Sequence, residues 1–250
     1  MKPLIPILVA VLCVFTTPTT QAQAQSGPVD HFHKVIISPY IQVTFVQGEE
    51  EAVTIDQIMV DSNKLHVEVQ GGTLRLYLEG AKDLPTNPRA FNRDDNQQHH
   101  ALYPNHAVTA TVVYKKLDAL SLRGAETYTS QSPLNADQFT LRVYGESTVI
   151  FTEVHINKMH TTIYGTSSLD IRAGAVSKQY YTCYGEGKVN TTAIVGQTAR
   201  VTAYGESEFR MNVSDRIKIT AIGEAKLRYM GNPVIVKGIH IGEMHVQKID

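Results

Sequence analysis

The residues with the most obvious chemical potential are carboxylates that recur at a fixed spacing. Glu146, Glu186 and Glu206 each follow a Tyr-Gly pair, and Glu224 and Glu243 each follow an Ile-Gly pair. If successive repeats stack at the inter-strand distance of about 4.8 Å, Glu186 and Glu206 lie about 5 Å apart, near the roughly 5 to 5.5 Å of a retaining glycosidase pair. Glu146 and Glu186, two repeats apart, come out at about 9.6 Å, at the edge of the roughly 6.5 to 9.5 Å range of inverting enzymes. A repeat generates such distances automatically. No separate acid, Arg clamp or cleft accompanies them, so no catalytic residue is assigned and an enzyme is not expected.

The same spacing carries a second chemistry. Tyr144, Tyr164, Tyr184 and Tyr204 would form a column offering aromatic surface and hydroxyl groups to a sugar chain or a protein. With Glu146, Glu186 and Glu206 they are the candidate ligand-contacting residues. A competing reading is structural: stacked aromatics stabilise a sheet by packing on one another. Lys188 and Lys226, two residues beyond Glu186 and Glu224, relieve like-charge stacking in the Glu column, as does Thr166 in place of a carboxylate.

Two further groups are weighed and set aside. His99, His100 and His106 with Asp94 and Asp95 are metal-ligating types, but their spacing matches no specific site, so no metal and no cofactor is expected. Cys183 falls among apolar neighbours and reads as a small buried hydrophobe rather than a nucleophile.

These residues are positioned by a repeat. Tyr144-Gly145-Glu146-Ser147 returns as Tyr164-Gly165-Thr166-Ser167, Tyr184-Gly185-Glu186-Gly187 and Tyr204-Gly205-Glu206-Ser207. The corner glycines Gly124, Gly145, Gly165, Gly185, Gly205, Gly223 and Gly242 are separated by 21, 20, 20, 20, 18 and 19 residues. A period of about 20 with no helical pattern inside it signals a β-solenoid. With Gly145 taken as pointing inward, the inner series is Leu141, Val143, Gly145, Ser147, Val149 and Phe151. The outer series is Arg142, Tyr144, Glu146 and Thr148. Polar-out and apolar-in at period two is the signature of a half-buried strand. The small centre of each inner series suggests a tight corner at which a side chain would strike the opposite wall.

The rest of the 250-residue chain is arranged around that repeat. Residues 1–24 read as an export signal, with Lys2, an apolar run from Leu4 to Phe15 and an Ala22-Gln23-Ala24 cleavage site. Removing them takes Lys2 away, so the formal charge goes from -1 to -2 and suggests neither nucleic acid nor an anionic membrane as partner. No later stretch is long and apolar enough for a membrane helix. Residues 25–250 read as a single β-helix domain. Within it, 29–82 form an N-terminal β block, either irregular first turns or a cap. Residues 83–106 form a polar loop excursion, and 107–250 carry the repeat rungs.

Taken in order, several weak motifs carry a resemblance. They are the Val35–Ile55 strands with their Gln47-Gly48 turn, the run Lys116-Leu117-Asp118-Ala119-Leu120-Ser121-Leu122-Arg123-Gly124-Ala125, the Gly-x-Ser or Gly-x-Gly corners, and the closing Tyr229-Met230-Gly231-Asn232-Pro233. Over roughly residues 29–246 this resembles the head GIN domain of putative auto-transporter adhesins. The resemblance implies an all-β, right-handed parallel β-helix at or near the cell envelope, in the periplasm, on the outer membrane or outside the cell, and open to an adhesive role. It transfers no catalytic residue. Self-secretion is not part of the expectation, because no run of alternating barrel strands of about ten residues follows the repeats. The expected function is a non-catalytic binding module whose partner is a glycan or a cell-surface protein, with a rigid envelope domain as the alternative.

Overall fold

The computed structural model describes residues 25–82 and 101–250. The expected export signal and most of the expected polar excursion, including His99, His100, Asp94 and Asp95, lie outside the described residues. Sixteen strands join one continuous sheet that winds as a β-solenoid. They are β1 (Gln25–Pro28), β2 (Lys34–Ile37), β3 (Ile41–Gln47), β4 (Ala52–Ile58), β5 (Leu65–Gln70), β6 (Thr73–Leu78), β7 (Val108–Tyr114) and β8 (Ala119–Gly124). There follow β9 (Thr127–Ser130), β10 (Leu134–Gly145), β11 (Thr148–Phe151), β12 (Val154–Gly165), β13 (Ser168–Ile171), β14 (Gly174–Gly185), β15 (Lys188–Met230) and β16 (Val234–Lys248). The one helical segment among the described residues is the 3-10 turn Ser62–Lys64.

The repeat sets the register. Strand β10 pairs in parallel with β12, and β12 with β14, so that Tyr144, Tyr164 and Tyr184 stand above one another, as do Gly145, Gly165 and Gly185. Each turn has a broad face, represented by residues 138–144, and a short face, represented by β11 and its partners β9 and β13. A narrow side follows, represented by residues 134–136 stacked on 154–156.

Alternation fills the interior. Leu141, Val143, Val149 and Phe151 of one turn, and Ile163, Leu169 and Ile171 of the next, are buried. Opposite walls compensate in volume: Phe139 and Phe151 meet edge to face, with ring centroids 5.8 Å apart. In a later turn the wall carries Tyr181, whose hydroxyl donates to Gln179 Oε1 at 2.9 Å, while Thr191 donates to the same oxygen at 3.3 Å. That polar bridge lies wholly inside the solenoid, and its members are satisfied by one another, as a buried polar group requires. Cys183 sits beside it, and burial pushes its thiol up to about 12.

The corners are where the sequence reading needs correction. The glycines do not point across the core. Gly145, Gly165, Gly185 and Gly205 hold φ of +103°, +102°, +114° and +109°, well outside the space open to other residues. A Cβ on Gly145 would lie 2.2 Å from the carbonyl oxygen of Gly124, and one on Gly165 2.4 Å from that of Gly145. The obstruction is therefore the preceding turn, along the solenoid axis, and not the opposite wall. Those carbonyls are in use: Gly124 O accepts from Glu146 N at 2.9 Å, and Gly145 O accepts from Thr166 N at 2.8 Å. The serine two residues after Gly145, Gly165 and Gly205 adds a second donor. Ser147 Oγ reaches Gly124 O, Ser167 Oγ reaches Gly145 O and Ser207 Oγ reaches Gly185 O, at 2.9, 2.9 and 3.2 Å. Tyr-Gly-x-Ser is thus a corner that spans two turns.

The N-terminal block combines the two alternatives open in the sequence. Strands β2 and β3 are a further parallel turn, stacked on β8 and β9. Strands β6 and β7 stack outside β2 and β3. Antiparallel β5 covers β6, and β4 and β1 cover β7. The chain therefore lays down β2 and β3 first, builds outward, and returns beneath them to begin the repeats. The corner between β2 and β3 has no glycine; Tyr40 itself takes φ 71°. Its N–H donates to Glu126 Oε1 at 2.9 Å, and the other carboxylate oxygen accepts from Ala125 N at 2.8 Å. Glu126 occupies the place of the corner serine, and burial raises its carboxyl above the usual range.

Two outcomes are expected. Gly185→Val, with φ +114° and Gly165 O 2.8 Å from the added Cβ, loses at least about 3 kcal/mol. Tyr184→Ala, which removes two cross-strand ring contacts, loses about 2 kcal/mol or less. Denaturant midpoints compare the two, and equal losses would refute the corner. Cys183, neutral and buried, stays unlabelled by a thiol reagent at pH 8 in native protein and reacts in denaturant. Because its folded pKa is raised, its contribution to stability is intact below about pH 8.5 and lost as pH rises toward 12. Rapid native labelling would overturn this placement.

Candidate functional site

The broad face is assembled by the strands that carry the glycine corners. Its outward positions form four columns that run along the solenoid axis. Nearest the corner is the tyrosine column. Tyr144, Tyr164, Tyr184 and Tyr204 stack with consecutive ring centroids 4.9 Å apart and planes inclined by 4°. The sequence reading took these rings as aromatic surface for a ligand. The stacking alters that chemistry, because the rings cover one another's faces and turn edges and hydroxyls outward. Tyr184 remains 41% exposed and Tyr164 and Tyr204 37%, so the column presents a row of phenols at the turn spacing. Arg123 closes its N-terminal end, with the guanidinium carbon 5.7 Å from the Tyr144 centroid.

The second column holds Arg142, Thr162, Thr182 and Thr202, aligned by the register of β10, β12, β14 and β15. The third holds Thr140, His160, Tyr180 and Arg200. His160 stacks on Tyr180 at 4.5 Å and 9°, and Arg200 lies over the same ring at 5.9 Å. Partial burial, and then the charge of Lys158, hold the His160 imidazole below its usual pKa. The fourth column holds Gln138, Lys158, Lys178 and Thr198.

Glu146, Glu186 and Glu206 lie around the corner from the tyrosines and are exposed. Glu186 and Glu206 line a shallow depression of about 160 Å³ with Lys188, Glu208, Glu224 and Lys226, so lysines stand among these carboxylates. The short face pairs its charges closely. Arg210 and Arg228 both bind Glu208, at 2.9 and 2.7 Å, and Arg172 binds Asp170 at 3.1 Å. Hydrogen bonding from Arg210 holds Glu208 below the usual carboxylate range.

The broad face is different in kind. Arg123, Arg142, Lys158, Lys178, Arg200 and Lys218 stand on it, and none takes part in an ion pair among the described residues. No carboxylate occurs in residues 119–123, 138–144, 158–164, 178–184, 198–204 or 216–222. Sequence reasoning missed this feature. The signal was present in Lys158 and Lys178, twenty residues apart, but only the Tyr and Glu columns were followed. Among the described residues no group of His, Cys, Asp and Glu is placed to hold a metal ion.

The geometry agrees with known proteins at the level of fold. The family described as putative auto-transporter adhesin, head GIN domain, matches residues 31–233. A putative adhesin from Bacteroides fragilis superposes with a TM-score of 0.72 at 15% identity, over 93% of this chain and 99% of its own. A putative adhesin from Parabacteroides merdae gives 0.66 at 17% identity, over 91% and 96%. A protein from Parabacteroides distasonis described as a putative lipid binding protein gives 0.62 at 13%, over 92% and 98%. No curated protein matches the sequence.

Proposed function

Because the chain belongs to the head GIN domain family of putative auto-transporter adhesins, we propose that it is an exported, non-catalytic binding module of the cell envelope or its surroundings, which engages a glycan or protein surface through its broad face. The observation that carries this reading is the column Tyr144, Tyr164, Tyr184 and Tyr204, with ring centroids at a constant 4.9 Å. A rigid row of hydroxyls at one spacing meets a repetitive partner many times over with little ordering cost, since the side chains are already fixed by one another. The Thr162, Thr182 and Thr202 column beside it adds hydroxyls at the same interval.

The same stacking also favours a second reading, a rigid envelope domain in which the rings serve only cohesion between turns. One experiment separates the two. Purified chain from Gln25 onward is applied to immobilised glycans, envelope polysaccharides and lipid vesicles, and captured glycans are checked for shortening. Retention without shortening, reduced at least about tenfold when Tyr164 and Tyr184 become Ala (about 1.4 kcal/mol), is the expected result. Retention that ignores the tyrosines would refute the role of the column. Shortening would point to an enzyme, and retention on nothing would leave the cohesive role standing alone.

A further inference from the structure

We infer that the broad face takes an acidic polysaccharide, laid along the solenoid axis with its anionic groups over the cation track of Arg142, Lys158, Lys178 and Arg200. This rests on the binding-module reading and names its ligand class. The whole chain has 23 Lys and Arg against 24 Asp and Glu, so an acid-free face does not follow from general basicity. The cations have been gathered there.

Ring contact holds Arg200, which lies over Tyr180, but no ion pair or ring contact among the described residues accounts for the two lysines. Lys158 and Lys178 are register partners on adjacent strands, where like charges directly opposite are unfavourable. The short face shows the ordinary solution, with Arg210 and Arg228 sharing Glu208. On the broad face that solution is absent among the described residues, and a partner's anions would supply the missing countercharge. The exposed Glu146, Glu186 and Glu206, on the far side of the tyrosine column, would repel such a chain and confine it to the track.

Three features select a sugar polymer among polyanions. The hydroxyls of the tyrosine column, and those of Thr162, Thr182 and Thr202 in the column that Arg142 begins, suit a polyhydroxylated chain. The tyrosine rings cover one another at 4.9 Å and 4°, so they offer few free faces for the base stacking on which single-strand nucleic-acid binding depends. The periodicity of the face runs along the solenoid axis at one turn per step, which suits an extended chain presenting one sugar unit after another.

The test uses purified chain from Gln25 onward on immobilised polygalacturonate, its carboxyl-reduced neutral counterpart, and single-stranded DNA. Expected are retention on polygalacturonate that weakens with added salt, loss of at least about tenfold on carboxyl reduction, and a similar loss in the double variant K158E/K178E. Lys115→Glu, a charge reversal on an exposed residue off this face, should change retention less than about twofold. Circular dichroism and the denaturant midpoint verify that both variants fold, and K158Q/K178Q supplies a neutral version should the reversal perturb the sheet. Equal retention on the carboxyl-reduced polymer, with the tyrosine variants still impaired, would overturn the acidic class while leaving the binding face intact. Indifference to the lysine changes, preference for DNA, or no retention on polygalacturonate would each overturn the assignment.

Discussion

Everything in this molecule depends on a contact between backbone and backbone at one corner. The carbonyl oxygens of Gly124, Gly145 and Gly165 each accept the N–H of the residue after the next glycine, as Gly124 O does from Glu146 N at 2.9 Å. In that geometry the next glycine's α-carbon rides directly over the carbonyl, and a Cβ there would sit 2.2 to 2.8 Å from the oxygen at Gly145, Gly165, Gly185 and Gly205. Glycine is needed for a reason unconnected with the core. The contact locks one turn to the next in a single register, and the serine hydroxyl that joins the same oxygen at Ser147, Ser167 and Ser207 reinforces the lock.

Fixed register turns one-dimensional repetition into two-dimensional order. Like residues must stand over like residues, and each column then has to find its own way to tolerate that. Tyrosines solve it by offset stacking, which covers their faces and leaves their hydroxyls out. Short-face acids solve it by alternation with arginine, as Asp170 does with Arg172 and Glu208 with Arg210. Inside, columns vary in size so that opposite walls compensate, down to the Gln179, Tyr181 and Thr191 bridge. The unpaired cations of the broad face stand out because they follow none of these solutions.

Much of this was legible in the sequence, and the limits were physical. Period and alternation gave the turns and the buried series, because Leu141, Val143, Val149 and Phe151 obey a rule of two that survives any detail of cross-section. The role of the glycines was misread, because a small residue is equally consistent with a collision across the core and one along the axis; only φ and the position of the carbonyl separate them. The early turns were hidden for a different reason. The corner at Tyr40 uses a left-handed tyrosine held by a carboxylate 86 residues away, so no local phrase marks it, and the out-of-order insertion of β2 and β3 beneath β6 and β7 leaves no periodic trace. Ring stacking was anticipated only as a competitor to binding, whereas the rings can be stacked and their hydroxyls still be free. The candidate tyrosines share one face in the structure, but the cation track emerges only when whole columns are compared.

The hydrogen bonds that join successive turns run parallel to the solenoid axis, and the sheet ends in β1 and β5 at its N-terminal limit and in β16 at the other. That arrangement has a mechanical meaning. A pull applied between those limits acts along the bonds and loads the outermost turn first, because each turn is held only by its neighbours. Such a body yields by peeling, one turn at a time, and dissipates work over a long extension. A shear applied across the broad face instead loads the bonds of many turns together. A domain built this way is compliant to tension along its length and stiff to traction across the face.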